Sequence, residues 1–226
     1  MKVLVTVKEV AEVDDEFRIS GLDVDDGSLE YDLNEWDDYA VEEAVQLSEA
    51  DDDVEVVTVT IGPERAEETI RMALAKGADR AVRVWDDNLA DAGFLDVDTK
   101  AALLAAVVND FELDGDAGVA SVRRELEGGV EELTDVELPA VFTIQTGINE
   151  PRYASLRGIR QAQRKELEVR TIDDVGLDES VVESPVERTD MYEPASEGDA
   201  TYWEGNPEET AGELAAFLRD EGVVSS

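Results

Sequence analysis

The chain has 226 residues, with 58 Asp and Glu against 19 Lys and Arg and no His, giving a formal net charge of −39. A surface this acidic repels phosphate backbones and anionic headgroups, whose binding relies on Lys and Arg displacing counterions, so neither nucleic acid nor membrane insertion is expected. With no Cys either, disulfides, thiolate metal sites, cysteine nucleophiles and histidine bases are excluded, and most hydrolytic triads and zinc chemistries with them.

No apolar window reaches about 18 residues, and the chain opens directly on the strand-like Met1-Lys2-Val3-Leu4-Val5-Thr6-Val7. A cytoplasmic protein without spanning helix or signal peptide is therefore expected. Acidic runs such as Asp51-Asp52-Asp53 and the scarcity of Lys suggest a halophile's surface, because molar salt shortens the Debye length to about 3 Å and relieves the self-repulsion.

Val3 to Val7 suits a buried parallel strand. Phe17 to Ile19 and Leu29 to Leu33 flank a turn at Asp25-Asp26-Gly27 and read as a hairpin excursion. Asn34 is placed to cap a helix ending near Ala50, with Tyr39, Ala40, Ala44, Val45 and Leu47 as its buried stripe. Val54 to Ile61 is a second buried strand, which Gly62-Pro63 turns into a helix from about Glu64 to Lys76 with Ile70, Ala73 and Leu74 facing inward. That turn could offer backbone N–H groups to a phosphate, but without further Gly it reads as a tight connection. Gly77 stops the helix, Arg80 to Trp85 makes a third strand, and Asp98 to Val108 another helix. This alternation predicts an α/β fold, a mostly parallel sheet with helices on both faces.

From Asn109 the pattern changes. Phe111 to Leu113, Val119 to Leu126 and Val130 to Val136, separated by Asp114-Gly115-Asp116 and Glu127-Gly128-Gly129, predict an antiparallel meander. Pro139 to Thr143 is an apolar segment able to rejoin the sheet. Residues 1–183 form the α/β domain on this reading, and 184–226 an extended arm ending in a helix over Glu208 to Asp220 with Leu214, Phe217 and Leu218 on one face.

Pro151 to Lys165 carries five cations and no acid. Helical from about Ser155, it places Arg157, Arg160 and Arg164 on one face beside Leu156 and Ile159. Two roles stand open: a docking ridge for an acidic surface or phosphate, and a counter-ion patch for the protein's own acidic face. Glu42-Glu43 and Glu67-Glu68 read as solvated helix faces. No catalytic constellation and no metal-ligand set emerges.

Several strings resemble the β subunit of electron-transfer flavoprotein: Met1 to Lys8, Leu33 to Ala44, Gly62-Pro63, Glu68 to Ala81, Leu138 to Val141, and above all Asn149-Glu150-Pro151-Arg152-Tyr153-Ala154-Ser155-Leu156. The resemblance implies an adenine-nucleotide α-hydrolase-like fold and a heterodimer with an α subunit that holds most of the FAD. It further implies electron passage from acyl-CoA or other flavin dehydrogenases to a quinone reductase, with no bond chemistry by this chain. It makes Leu156 the anchor of a recognition loop that includes Tyr153, Arg157, Ile159, Arg160 and Arg164, and sets Glu125 beside the α-subunit flavin. Thr6, Asn34, Glu35, Trp36, Asp37 and Ile61 match positions that contact a second nucleotide, usually AMP, or FAD in bifurcating members. Some forty residues of the family's usual nucleotide-binding block are missing near 107–109, so AMP binding is expected to be weak or lost. The competing readings are a bifurcating variant and a nucleotide-free, nonfunctional or regulatory derivative.

Overall fold

In a computed structural model the described residues are 1–111, 118–193 and 205–223, and the chain divides into two compact units, Met1–Met191 and Tyr192–Ser226. The first unit runs β1 (Lys2–Thr6), β2 (Glu9–Val13), β3 (Ile19–Ser20), β4 (Asp23–Val24), β5 (Leu29–Leu33), α1 (Glu35–Ala50), β6 (Glu55–Ile61), α2 (Glu67–Lys76), β7 (Arg80–Val84), α3 (Asp87–Asp91), α4 (Val97–Asp110), β8 (Val119–Leu126), β9 (Val130–Glu137), α5 (Leu156–Ala162) and β10 (Leu167–Arg170). The second holds α6 (Pro207–Asp220), whose first turn is closed by the Asn206 side chain accepting the Glu208 and Glu209 N–H groups.

The predicted parallel sheet is present, with strand order β1-β6-β7-β10 and registers such as Val3 opposite Val56 and Val59 opposite Val82. Val56 to Thr60 are all buried, as a strand covered on both faces requires. On one face Val5, Val56 and Ala81 pack against Val41, Val45, Ile70 and Leu74 of α1 and α2. On the other, Val57, Val59, Val82 and Val84 meet Leu89, Leu103, Val107 and Ile172. β1 is an edge strand, and among the described residues no strand pairs with its outer side.

Several sequence expectations need correction. β5 pairs with β2 over five residues, Glu9 opposite Leu33 through Val13 opposite Leu29, while Ile19 turns back at Gly21 into its own two-residue ladder with β4. Leu47 is 43% exposed, because the inner stripe of α1 centres on Val41 and six residues further lies roughly 120° away around the helix. Asn34 occupies the cap position without capping, since its amide is bonded to the Asp37 carboxylate. Pro139 to Thr143 joins no strand: Val141 is 95% exposed, Pro139 offers no N–H to a ladder, and the fourth place in the sheet goes to β10. Among the described residues the meander is a two-stranded hairpin, β8 with β9, and Phe111 is buried as the C-terminal cap of α4; the rest of the expected Phe111 to Leu113 segment lies outside the described residues. α3 and β10 were not anticipated. The first unit also extends to Met191, with Ser184 bonded to Asp96 and Arg188 to Asp23. The remainder of the expected arm up to α6 lies largely outside the described residues.

Gly77 ends α2 at φ +146°, and a Cβ there would stand 2.6 Å from Val45 Cγ1 and 2.9 Å from Cγ2. Gly77→Ala should therefore lose stability by about 1–3 kcal/mol, through backbone strain and the displacement of Val45 from a close-packed layer. Chemical denaturation of the variant against the parent checks this.

Candidate functional site

The cationic segment is helical over Leu156–Ala162, which carries Arg157 and Arg160 as expected, while Arg164 lies beyond the helix end. Ser155 starts α5, its Oγ accepting the Gly158 N–H at 3.0 Å. A Cβ on Gly158 would lie 2.3 Å from the Ala75 carbonyl oxygen, so α5 crosses α2 at a distance only glycine permits, with Ala162 buried on the same side. The opposite side faces solvent. Tyr153 is 98% exposed, Leu156 79% and Ile159 40%, and the side chains of Arg157, Arg160 and Arg164 have no ion-pair partner among the described residues.

The other cations of the segment work inward. Arg152 Nε and Nη2 donate to the Glu42 carboxylate at 2.7 and 3.0 Å, and its Nη1 and Nη2 to Glu49 at 2.6 and 3.0 Å. Asn149 donates to the Tyr39 carbonyl and to Glu43, both at 3.1 Å. Lys165 donates to the Leu74, Gly77 and Ala78 carbonyls, closing the end of α2, while Arg71 of α2 donates to the Ala162 and Lys165 carbonyls at 2.8 Å. Arg152 and Lys165 thus face the protein's own carboxylates and carbonyls, while Arg157, Arg160 and Arg164 face solvent.

These contacts shift titrations in opposite senses. Hydrogen bonds from Arg152 hold the Glu42 carboxyl down at about 2 despite its burial, and the two carboxylates raise Arg152. Burial lowers the Lys165 ammonium. Glu42, read from sequence as part of a solvated face, is 5% exposed. Its seven-residue spacing from Glu49 put both carboxylates on one face of α1, but nothing local pointed to a partner 110 residues away.

The residues matching nucleotide-contacting positions gather at the carboxyl end of the sheet. Thr6 and Ile61 end β1 and β6, which are joined just beyond by the Val7 N–H donating to Val59. Asn34 donates its backbone N–H to the Lys8 carbonyl, and Asp37 accepts the Lys8 N–H at 2.6 Å, with burial pushing its carboxyl up. Glu35 and Trp36 are exposed. Glu9 lies close by in the chain with its side chain 8% exposed, bonded to Arg65 at 2.9 Å; burial outweighs that cation and raises its carboxyl. Glu125 is set apart from both groups, near the tip of the β8–β9 hairpin. It stands opposite Glu131 in the ladder, while Arg123 approaches Glu131 at 3.7 Å and Arg124 bonds Glu132 at 3.2 Å. Among the described residues no cluster of carboxylates is arranged to hold a metal, and no helix is long and apolar enough to cross a membrane.

Residues 21–115 and 104–175 match the model of the electron transfer flavoprotein domain family. The chain is 40% identical to the electron transfer flavoprotein subunit beta of Methylophilus methylotrophus over 261 positions, covering 97% of this chain and 98% of that protein. It is 32% identical to the subunit of the same name from Bacillus subtilis, with 99% and 100% covered. The mitochondrial electron transfer flavoprotein subunit beta of Arabidopsis thaliana is 33% identical, with 86% and 90% covered.

Because Glu42 titrates lower in the folded chain than its ordinary value of 4.5, its contribution is fully present above that value and is lost as pH falls towards about 2. Glu42→Gln should remove about 3 kcal/mol at neutral pH, and the gap between parent and variant should shrink as unfolding is followed from pH 5 to pH 2.

Proposed function

Since the chain belongs to the electron transfer flavoprotein subunit beta family, we propose that it is the β subunit of a heterodimeric electron carrier, supporting FAD held mainly by an α subunit and receiving electrons from flavin dehydrogenases for delivery to a quinone reductase. It performs no bond chemistry itself. The observation that carries the docking half of this reading is the ridge: an exposed tyrosine and leucine beside three outward arginines, in a chain whose net charge is −39. Apolar anchors ringed by cations suit a partner pocket with an acidic rim. Leu156 is the central anchor, with Tyr153, Arg157, Ile159, Arg160 and Arg164 around it.

The hairpin supplies the second contact. Glu125 faces a like charge across the ladder and has no ion-pair partner among the described residues, so an arginine from the α subunit near the flavin would relieve that repulsion. A molar-salt cytoplasm would suit so acidic a surface.

For the second nucleotide the reading is negative. An alignment of 261 positions exceeds the 226 residues of this chain, so at least 35 positions of that relative lack a counterpart here. The two stretches matching the family model overlap over 104–115, which supports an internal deletion near 107–109, where the phosphate-binding block would stand. Glu9, Glu35 and Asp37 leave a negative field around the remaining positions. A carrier subunit that holds no AMP is therefore preferred to a bifurcating variant with its own FAD.

Two measurements test these proposals on the heterodimer co-produced with its α subunit. Nucleotide extraction should yield one flavin and less than a tenth of an equivalent of AMP, and calorimetric titration should show no micromolar AMP affinity; a stoichiometric AMP would overturn the nucleotide-free reading. Leu156→Ala should raise the KM of a partner dehydrogenase for the carrier by about tenfold or more with flavin content unchanged, the size expected for loss of an interface anchor. Unchanged kinetics would refute docking through this ridge.

A further inference from the structure

Arg152 lies one residue before Tyr153 and four before Leu156, yet its own side chain points the other way. Its guanidinium makes four hydrogen bonds to two carboxylates set seven residues apart on α1, and its backbone N–H makes a fifth, to Glu42 at 3.2 Å. Neutralising one buried carboxylate would need only one of those arms. With main chain and side chain both held, residue 152 has a fixed backbone orientation, and the next side chain is turned outward: Tyr153 is the most exposed large hydrophobic side chain of the segment. Asn149 adds two bonds to the same helix just upstream. Downstream, Ser155 caps α5 and Gly158 seats it on Ala75. The stretch bearing the two apolar anchors is thus tied at both ends to different helices.

We infer that the clasp of Arg152 with Glu42 and Glu49 presets the orientation in which Tyr153 and Leu156 meet a partner flavoprotein, making Arg152 a positioning residue for docking. This rests on the docking reading given above. With its guanidinium taken up by α1, Arg152 acts through the loop: it spares the complex the cost of ordering that loop on contact, because a segment already held in its bound shape loses little freedom on binding. A lysine could not replace it, since one ammonium cannot bridge two carboxylates in the forked geometry of a guanidinium.

The test is a double-mutant cycle on the complete flavin-loaded heterodimer, reading kcat and the KM of a flavin dehydrogenase for the carrier. Arg152→Gln should raise KM by about five- to tenfold and Leu156→Ala by about tenfold or more, both with kcat nearly unchanged, and the double variant should fall well short of the product of the two, because Arg152 acts through Leu156 and Tyr153. Arg152→Lys should behave as Arg152→Gln. Glu49→Gln, which removes one exposed arm of the clasp and leaves the buried one, should raise KM about two- to threefold and keeps the test decisive if Arg152→Gln fails to fold. Multiplicative effects in the double variant, or an unchanged KM in both Arg152→Gln and Glu49→Gln while Leu156→Ala raises it, would overturn the positioning role and leave docking intact. An unchanged KM in Leu156→Ala would overturn both.

Discussion

Cations are scarce in this chain, 19 against 58 acids, and where they sit decides which distant segments can be held together. Lys76 of α2 reaches Asp38 of α1, Arg80 of β7 reaches Glu55 of β6, and Arg170 of β10 reaches Asp110 of α4. Arg188 holds the end of the first unit to Asp23, and Arg152 holds the loop after Asn149 to α1. Each of these pairs joins residues far apart in sequence across a surface that would otherwise repel itself. An exposed pair such as Arg188 with Asp23 contributes little by itself; the Arg152 clasp differs because Glu42 is buried and would be costly to leave unpaired. Arg157, Arg160 and Arg164 take no part in this: among the described residues they have no ion-pair partner, and they lie exposed along one ridge.

The sheet was legible in the sequence because both of its signals are local. Val3 to Val7 and Val54 to Ile61 are short β-branched runs bounded by charge or Gly-Pro, and the intervening helices show an apolar face. What escaped was non-local. Leu167–Arg170 has the length of a turn segment and one charged residue in two, and it becomes a strand only because β7 offers it a parallel edge. The partner of β5 is hidden from a local reading because Glu9–Val13, whose Glu-Val-Ala-Glu-Val sequence lacks strict alternation, lies outside the turn that suggests Phe17 to Ile19. Pro139 to Thr143 has strand composition without a neighbouring edge to satisfy it.

The ridge was half legible. Five cations without an acid stand out in any reading of this composition, and helical spacing correctly grouped Leu156, Arg157 and Arg160. That Arg152 and Lys165 turn inward depends on Glu42, Glu49 and the carbonyls closing α2, partners some 90 to 110 residues away. The positions matched to nucleotide contacts lie together at one end of the sheet, but the acids between them could be weighed only once Glu9 and Asp37 were seen to be partly withdrawn from water. The β8–β9 hairpin carries a related lesson. Two strands alone are marginal in water, and with Val119, Val130 and Leu133 exposed this pair is a surface suited to being covered.

β1 lies at the margin of the sheet, and among the described residues no strand pairs with the peptide groups of its outer side. An unpaired row of that kind is a template on which another extended segment can grow. In dilute buffer the repulsion between two molecules each carrying −39 opposes such growth. Salt that screens the repulsion within one molecule screens it between molecules as well. Resistance to unfolding and resistance to self-association therefore respond to ionic strength in opposite directions, and the outer margin of Lys2–Thr6 is where the two requirements meet.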